Sequence, residues 1–251
     1  MVAKSKIRAL RGEVVNYKKP PISEAVIELR FAEVMPQELI KAIEARLQEK
    51  YPAKHPFHLS EVQSFRDNAQ LQVTMGARYF SLDQADTVTV LAKTLTAGRM
   101  APYCGWEAFF GRAKEDLSLA AKVGEFAKIE RLGVRYVNRI DVPFDENGAV
   151  YIEKYLTVFP QVPAELGNIG EGLARVVIPT PYDKWIAQII VTNMESPLVG
   201  HISFLLDIDL FRTESIPQNK SKVFQLFEQT QVIKNEIFKK CVTPACEELF
   251  E

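Results

Sequence analysis

The sequence predicts an α+β fold, in which one mostly antiparallel, curved sheet carries its helices on one face. Three observations predict this fold. Segments with the two-residue alternation of half-buried strands far outnumber segments with helical spacing. Most of the strand segments follow one another through short turns, which is typical of antiparallel pairing. The order of strands and helices also starts again halfway along the 251-residue chain.

The first half, residues 20–125, begins with a strand at residues 22–32, where apolar residues alternate with mostly charged ones. Apolar residues at helical spacing follow Pro36, and they predict a helix that continues to the break at Tyr51 and Pro52. A long helix with one apolar stripe is expected at residues 103–123. Between the two helices we expect a meander of hairpins, indicated by short β-like runs at residues 61–65, 71–75, 78–82 and 87–92.

The second half, residues 126–251, repeats this order and closes with a helix at residues 219–241. Its strands are expected at residues 131–142, 173–178, 185–192 and 201–210, with a short helical segment at residues 151–159. Both halves are therefore predicted as β-α-β-β-β-α units, which indicates an internal duplication. Joined edge to edge, they would form one continuous sheet, similar to the saddle of the TATA-binding protein. A closed sheet around a helix is the competing geometry.

Composition limits the classes of function. The chain has 31 Lys and Arg against 32 Asp and Glu, which argues against a DNA-binding protein that depends on overall positive charge. Three cysteines without a CxxC pair indicate neither a disulfide framework nor a zinc cluster, and they favour a reducing cytoplasm. We expect no membrane span, because no run of about 18 apolar residues occurs. Residues 1–19 form a basic segment without the apolar stretch of a signal peptide.

The strand predicted at residues 131–142 is the most informative segment for function. Arg131, Arg135 and Arg139 fall on one side of it, and apolar residues fall mostly on the other. Arginines that share one side of an uncovered strand present their planar guanidinium groups in a row, which suits successive contacts to phosphates or carboxylates. This side of the strand is therefore a candidate anion-binding surface.

Other strands add charges to the same face. Glu28 and Arg30 lie in the first strand, and Asp207 and Asp209 alternate in the strand at residues 201–210. We expect the ligand-binding set to be Glu28, Arg30, Arg131, Arg135 and Arg139. The alternative is that these residues form ordinary cross-strand ion pairs on a solvated face, each worth about 0.2–1 kcal/mol.

Asp207 and Asp209 are also candidate ligands for Mg²⁺, which prefers oxygen donors of this kind. The pattern is weak on its own, because alternation along any strand places two such carboxylates on one side. His55 and His58 form no HExxH motif and are expected in a loop around Pro56. Without a GxSxG, Walker or GxGxxG motif, the sequence predicts no catalytic residue and no cofactor besides Mg²⁺.

Three segments together resemble a known family. They are PPISEAVIE at residues 20–28, RLGVRYVNRI at residues 131–140, and LDID at residues 206–209 followed by Phe238 and Val242-Thr243-Pro244. They are similar to a sporadically distributed family of uncharacterised bacterial proteins of the same length, and the resemblance covers nearly the whole chain. It implies a bacterial protein, carried on mobile or defence-related loci. It implies no activity, cofactor or substrate, because none is established for that family.

Three hypotheses of function follow from the sequence. The first is a non-catalytic cytoplasmic module whose charged sheet face binds an anionic partner, either nucleic acid, a nucleotide or an acidic protein segment. The second is a metal-dependent phosphohydrolase or nuclease with Glu28, Asp207 and Asp209 as ligands. The third is a structural protein whose exposed sheet edge forms a homo-oligomer.

Overall fold

The computed structural model describes residues 17–65, 68–123, 128–163, 165, 167 and 170–251. Most of the basic segment predicted at residues 1–19 therefore lies outside the described residues. The strands are Ile22–Phe31 (β1), Ala53–Phe65 (β2), Asn68–Phe80 (β3), Asp86–Leu91 (β4), Thr94–Met100 (β5), Ile129–Pro143 (β6), Leu173–Pro179 (β7), Ile186–Glu195 (β8) and His201–Arg212 (β9). The helices are Gln37–Leu47 (α1), Trp106–Val123 (α2), Lys220–Cys241 (α3) and Pro244–Glu247 (α4).

All nine strands belong to one antiparallel sheet in the order β2-β3-β4-β5-β1-β6-β9-β8-β7. The α+β class and the large antiparallel curved sheet are thereby confirmed. The first strand of each half, β1 and β6, pair with each other at the centre of the sheet. The last strand of each half, β5 and β9, lies on the outer side of its own first strand. In the described part of the chain, no helix is long and apolar enough to cross a membrane.

The main core lies between one face of the sheet and the helices α1, α2 and α3. In β1, Ala25, Ile27, Leu29 and Phe31 are buried in alternation with partly exposed residues, as predicted. In β6 the same alternation buries Leu132, Val134, Tyr136, Asn138, Ile140 and Val142. The helices pack Ile43, Leu47, Phe109, Leu117 and Phe227 against this face. Removing these side chains from water is the main stabilising contribution to the fold.

A buried polar cluster holds α1 and α2 to the sheet. Asp116 of α2 is 2% exposed and accepts hydrogen bonds from Tyr51 Oη at 2.5 Å, Lys50 Nζ at 2.9 Å and Arg112 Nη1 at 2.8 Å. Arg112 also donates to the carbonyl of Gly98 in β5 at 2.6 Å. The charges are thus buried only in paired form, as their loss of hydration requires.

The first half departs from the prediction in its strands. The segments predicted at residues 71–75 and 78–82 belong to one long strand, β3, and the predicted loop around Pro56, with His55 and His58, lies within β2. β5 was missed, so this half is β-α-β-β-β-β-α. Gly76 explains the error in β3, because a glycine interrupts the apolar alternation without interrupting the strand.

The second half differs in its short helical segment. Only one turn of 3-10 helix, Ile152–Lys154, occurs where residues 151–159 were predicted. The chain then leaves the helical path, because Leu156 pairs with Val242 after the end of α3. The two halves therefore resemble each other in the placement of strands but not in every element.

Gly76 provides a test of the close approach between β3 and β4. A Cβ atom at this position would overlap the Val90 carbonyl and lie 2.7 Å from Leu91 Cδ2. We expect Gly76→Ala to lower the free energy of unfolding by about 1–3 kcal/mol in urea denaturation. Gly111→Ala is the matched control, because Gly111 lies in α2 with open space around it, and it should raise stability by about 0.5–1 kcal/mol. Equal effects of the two substitutions would contradict this explanation.

Candidate functional site

The face of the sheet opposite the helices forms a groove with a volume of about 630 Å³. Each of the nine strands contributes at least one lining residue, from Phe57 in β2 at one edge to Arg175 in β7 at the other. Charged side chains line its central part, where β1, β6 and β9 are neighbours. We call this surface the sheet groove. It brings together six of the seven residues singled out in the sequence: Glu28, Arg30, Arg131, Arg135, Asp207 and Asp209.

Arg131 lies at the floor of the sheet groove between two carboxylates from neighbouring strands. Its Nη1 donates to Glu28 Oε1 of β1, and its Nη2 donates to Asp209 Oδ2 of β9 at 2.6 Å. The guanidinium carbon lies 4.9 Å from the ring centroid of Phe211. All three charged side chains are between 16% and 17% exposed. Arg131 therefore joins the three central strands through charges that are mostly removed from water.

Gly133 makes room for this arrangement. It follows Arg131 by two positions in β6, so a side chain there would project into the same groove. A Cβ atom at Gly133 would lie 2.5 Å from Arg131 Nη1 and 3.4 Å from Glu28 Cβ. Glycine inside a strand often marks such a close approach. The local sequence RLGVR thus combines two arginines with the space that one of them needs.

Burial raises the pKa of Asp209 above its ordinary value, and the charge of Arg131 opposes this shift. Glu28 and Asp207, which are also negative, raise it further. Arg131 therefore favours the anionic form of Asp209 inside the groove. Removal of the arginine would take away the partner that Glu28 and Asp209 share and leave two mostly buried negative charges close together.

Arg135 is the most exposed of the arginines that the sequence assigned to the groove. Its Nε and Nη2 donate to the two oxygens of Asp207 at 2.9 and 2.7 Å, a bidentate pair. Hydrogen bonding to Asp207 raises the pKa of Arg135 further above its usual value, although burial opposes the shift. The side chain is still 52% exposed, and its Nη1 donates to no residue in the described part of the chain. Arg135 thus keeps donors for an external ligand.

Two further arginines of the sheet groove were missed in the sequence. Arg175 of β7 donates through Nε and Nη2 to Gln188 Oε1 at 2.9 and 2.6 Å. Arg78 of β3 contacts Glu24 Oε1 at 3.3 Å and stacks on Phe57, 4.3 Å from the ring centroid. Both strands were predicted, but their places in the sheet were not. Only the strand order shows that their arginines face the same groove.

Arg139 was expected in the ligand set, but it does not line the sheet groove. It lies further along the same face of β6, where its Nε contacts Asp141 Oδ2 at 3.3 Å. The pKa of Asp141 is below its usual value, because hydrogen bonds from Ser203 and Ser196, together with Arg139, outweigh the opposing effect of burial. Arg139 is thus part of a separate pair near the end of the strand.

The carboxylates proposed as metal ligands are engaged by arginines. Both oxygens of Asp207 accept from Arg135, while Asp209 and Glu28 accept from Arg131. In the residues that the structure describes, no group of three His, Cys, Asp or Glu side chains has the arrangement of a metal site. A divalent cation would have to displace these guanidinium groups, so the geometry does not favour the metal hypothesis.

Comparisons with known proteins give no family for this chain. No family model matches it, and no curated protein matches it. One crystal structure found is that of DynU16, a protein from the dynemicin biosynthetic locus. That match covers 91% of this chain and 98% of DynU16, with 11% identity and a TM-score of 0.19, which is too low to relate the two folds. The resemblance of the sequence motifs to a bacterial family stays a prediction.

The role of Arg131 can be tested by unfolding measurements. We expect Arg131→Met to lower the free energy of unfolding by about 2–4 kcal/mol at neutral pH, because Glu28 and Asp209 lose their shared partner. The loss should shrink as the pH falls toward about 4. The folded pKa of Asp209 is already raised, and it would rise further without the arginine, so protonation favours the folded variant at acid pH.

Arg139→Met is the matched control for this prediction. It removes an arginine from the same face of the same strand, but the side chain of Arg139 is 45% exposed. Its loss should change stability by less than about 1 kcal/mol. A similar loss of unfolding free energy in both variants would contradict the role assigned to Arg131. A loss in Arg131→Met that does not change with pH would also contradict it.

Proposed function

We propose that the protein is a non-catalytic binding module whose sheet groove holds an anionic partner. The observation that carries this proposal is the state of Arg135 and Arg175. Each has an exposed guanidinium group on the groove. Each donates hydrogen bonds to described residues only through Nε and Nη2. Their Nη1 groups are therefore available to donate to phosphate or carboxylate oxygens.

The balance of charge in the groove supports an anion over a cation. Five arginines and four carboxylates line it, which leaves a formal charge of +1: Arg30, Arg78, Arg131, Arg135 and Arg175 against Glu24, Glu28, Asp207 and Asp209. The carboxylates also fix the orientation of the guanidinium groups before a ligand arrives. Such preorganisation lowers the entropy lost on binding. Cross-strand ion pairing and ligand binding are thus compatible in this groove.

Aromatic side chains favour a nucleotide or single-stranded nucleic acid over an acidic protein segment. Phe57 and Phe211 both line the groove, and both are only partly buried. Single-stranded nucleic acids bind to sheets through stacking of bases on aromatic rings, together with basic residues that follow the backbone. The volume of about 630 Å³ lies within the range of small-ligand sites.

Two finer inferences accompany this proposal. We infer an origin by duplication, supported by the pairing of β1 with β6 and by the position of β5 and β9 beside them. We also propose a cytoplasmic location, because Cys104, Cys241 and Cys246 are all free thiols. A duplicated sheet would explain why both outer parts of the groove carry an arginine.

Fluorescence anisotropy with labelled single-stranded and duplex oligonucleotides at several salt concentrations tests the proposal. We expect the single strand to bind more tightly. If Arg135 and Arg175 each contact one phosphate, the logarithm of the association constant should fall with the logarithm of salt concentration with a slope of about −1.4. A polyglutamate competitor distinguishes nucleic acid from an acidic peptide, and it should displace the oligonucleotide poorly.

Arg175→Ala is the cleanest variant for this assay, because Arg175 pairs with neutral Gln188 and its loss leaves no carboxylate unpaired. We expect it to weaken binding by about tenfold, the effect of one lost charge-assisted contact. Arg139→Ala is the control, since Arg139 lies outside the groove, and it should bind as the wild type does. Equal losses of affinity in both variants, or an association constant that does not change with salt concentration, would overturn the proposal.

A second candidate function, homo-oligomer formation, is favoured by the edge strand β7. In the sheet of described residues, β7 pairs on one side only, with β8. Four of its apolar side chains are exposed: Leu173 at 65%, Val176 at 39%, Val177 at 51% and Ile178 at 42%. An edge strand with several exposed apolar side chains is prone to pair with another copy of itself, and antiparallel pairing across a twofold axis satisfies both edges.

Light scattering coupled to size-exclusion chromatography tests this second candidate. The wild type should form a dimer, and Val176→Lys should shift it to the monomer, because a charge on the edge strand disfavours pairing. Val199→Lys is the control, since Val199 is 99% exposed and lies outside the strands. A wild type that is monomeric at every concentration measured would exclude the edge-pairing hypothesis.

A further inference from the structure

A second cavity, of about 350 Å³, lies on the other side of the sheet, under the helices. Its walls come from five parts of the chain: the segment that leads into β1, the start of α2 with the residues just before it, the middle of β6, the middle of β9 and the second half of α3. At its inner end are Tyr136 and Asn138, which are 3% and 2% exposed. We call it the helix-side cavity. It is separate from the sheet groove, because Tyr136 and Arg135 are consecutive in β6 and face opposite sides.

Several aromatic rings line the helix-side cavity. Tyr103 and Trp106 come from the start of α2, Tyr136 from β6 and Phe238 from α3. The rings of Tyr103 and Tyr136 meet edge to face, with centroids 5.8 Å apart. Such rings present flat apolar surfaces, against which another aromatic ring packs well.

One cation faces these rings. The Nζ atom of Lys234 lies 4.0 Å from the ring centroid of Tyr136 and 5.9 Å from that of Tyr103. Lys234 makes no hydrogen bond or ion pair with any residue in the described part of the chain. Burial lowers the pKa of Lys234 to about 7, and no neighbouring carboxylate compensates for it. Lys234 therefore differs from the arginines of the sheet groove, which all have partners.

Two tyrosine hydroxyl groups lie near Lys234 and add hydrogen-bonding capacity to the cavity. The hydroxyl groups of Tyr103 and Tyr136 lie 3.0 Å apart. Burial raises the pKa of both tyrosines, so they keep their protons as hydrogen-bond donors. At the mouth, Lys18 is exposed and 4.0 Å from Glu251, while Tyr17 donates its hydroxyl hydrogen to Glu247 at 2.5 Å. The charged groups near the mouth are thus paired with each other and not with Lys234.

We propose that the helix-side cavity binds a small aromatic monocarboxylate, with the carboxylate on Lys234 and the ring between the aromatic walls. One ammonium in an apolar surrounding matches one negative charge. A dianion such as a phosphate monoester would leave a charge without compensation. One hydroxyl of the tyrosine pair donates to the other, and the second hydroxyl is left to donate a hydrogen bond to the carboxylate. The volume is at the lower end of small-ligand sites and suits one or two fused rings.

Fluorescence titration of the full chain provides the test, because Trp106 lines the cavity, whereas Trp185 is 2% exposed and is not part of its lining. The probes are phenylacetate, cinnamate and naphthoate, each compared with its uncharged amide. We expect at least one acid to quench the fluorescence with a saturable curve. Its amide should bind at least about tenfold more weakly, since it cannot form the ion pair.

Lys234→Met keeps the length of the side chain and removes its charge, and an apolar residue suits this environment, so the fold should be retained. We expect this variant to lose the preference for the acid over the amide. Lys222→Met is the matched control, because Lys222 is an exposed lysine of the same helix outside the cavity lining, and it should bind as the wild type does. In the wild type, the affinity for the acid should fall by about tenfold per pH unit above about pH 7, as Lys234 loses its proton.

Absence of quenching by all three acids would overturn the proposal. Acid binding in Lys234→Met that equals the wild type, or amides that bind as tightly as the acids, would also overturn it. Arg175→Ala should leave the titration unchanged, because Arg175 belongs to the sheet groove. The two proposals are therefore tested independently. A sheet groove that does not bind nucleic acid would not contradict the proposal for the helix-side cavity.

Discussion

The structure depends on the pairing of charges across its three central strands. β1, β6 and β9 each have one apolar face, which packs under the helices, and one charged face, which lines the sheet groove. Arg131 allows these strands to lie side by side, because it accommodates Glu28 and Asp209 at once. Without it, two largely buried carboxylates would face each other in a groove where water cannot fully solvate them. The apolar core on one face and the charge network on the other therefore depend on the same three strands lying side by side.

The charged side chains on the two sides of β6 have different surroundings. On the groove side, arginines are held by carboxylates or by Gln188, and the spare donors of Arg135 and Arg175 face outward. On the helix side, Lys234 has aromatic rings instead of a carboxylate, and its pKa falls toward neutrality. A paired arginine is charged at every physiological pH. The pKa of a lysine that is largely removed from water without an anionic partner is lowered, and it rises again when an anion binds next to the lysine. This contrast is the physical basis for assigning different ligands to the two surfaces.

Local patterns predicted a large part of the fold and a smaller part of the site. The alternation in β1 and β6 identified both the buried residues and the charged face, and six of the seven selected residues do lie together. Arg139 was included because alternation along a strand does not show where a groove ends. β5 was missed because Thr94–Met100 has few large apolar residues, although its neighbours on both sides keep it inside the sheet. Arg78 and Arg175 could not be assigned, since they reach the groove only through strands distant in sequence.

The sequence by itself determined which residues of each strand share a face, because the backbone alternates side chains whatever the strand's neighbours are. It also determined the α+β class through the number and spacing of its strands. Only the tertiary structure decided which strands are adjacent, and therefore which carboxylate binds which arginine. It also placed Lys234 beside aromatic rings and not beside a carboxylate of the described residues. The physical reason is the separation along the sequence of the residues that set each property. Periodicity is a property of a few consecutive residues, whereas the pairing of Arg131 with Glu28 spans 103 positions and depends on the order of the whole sheet.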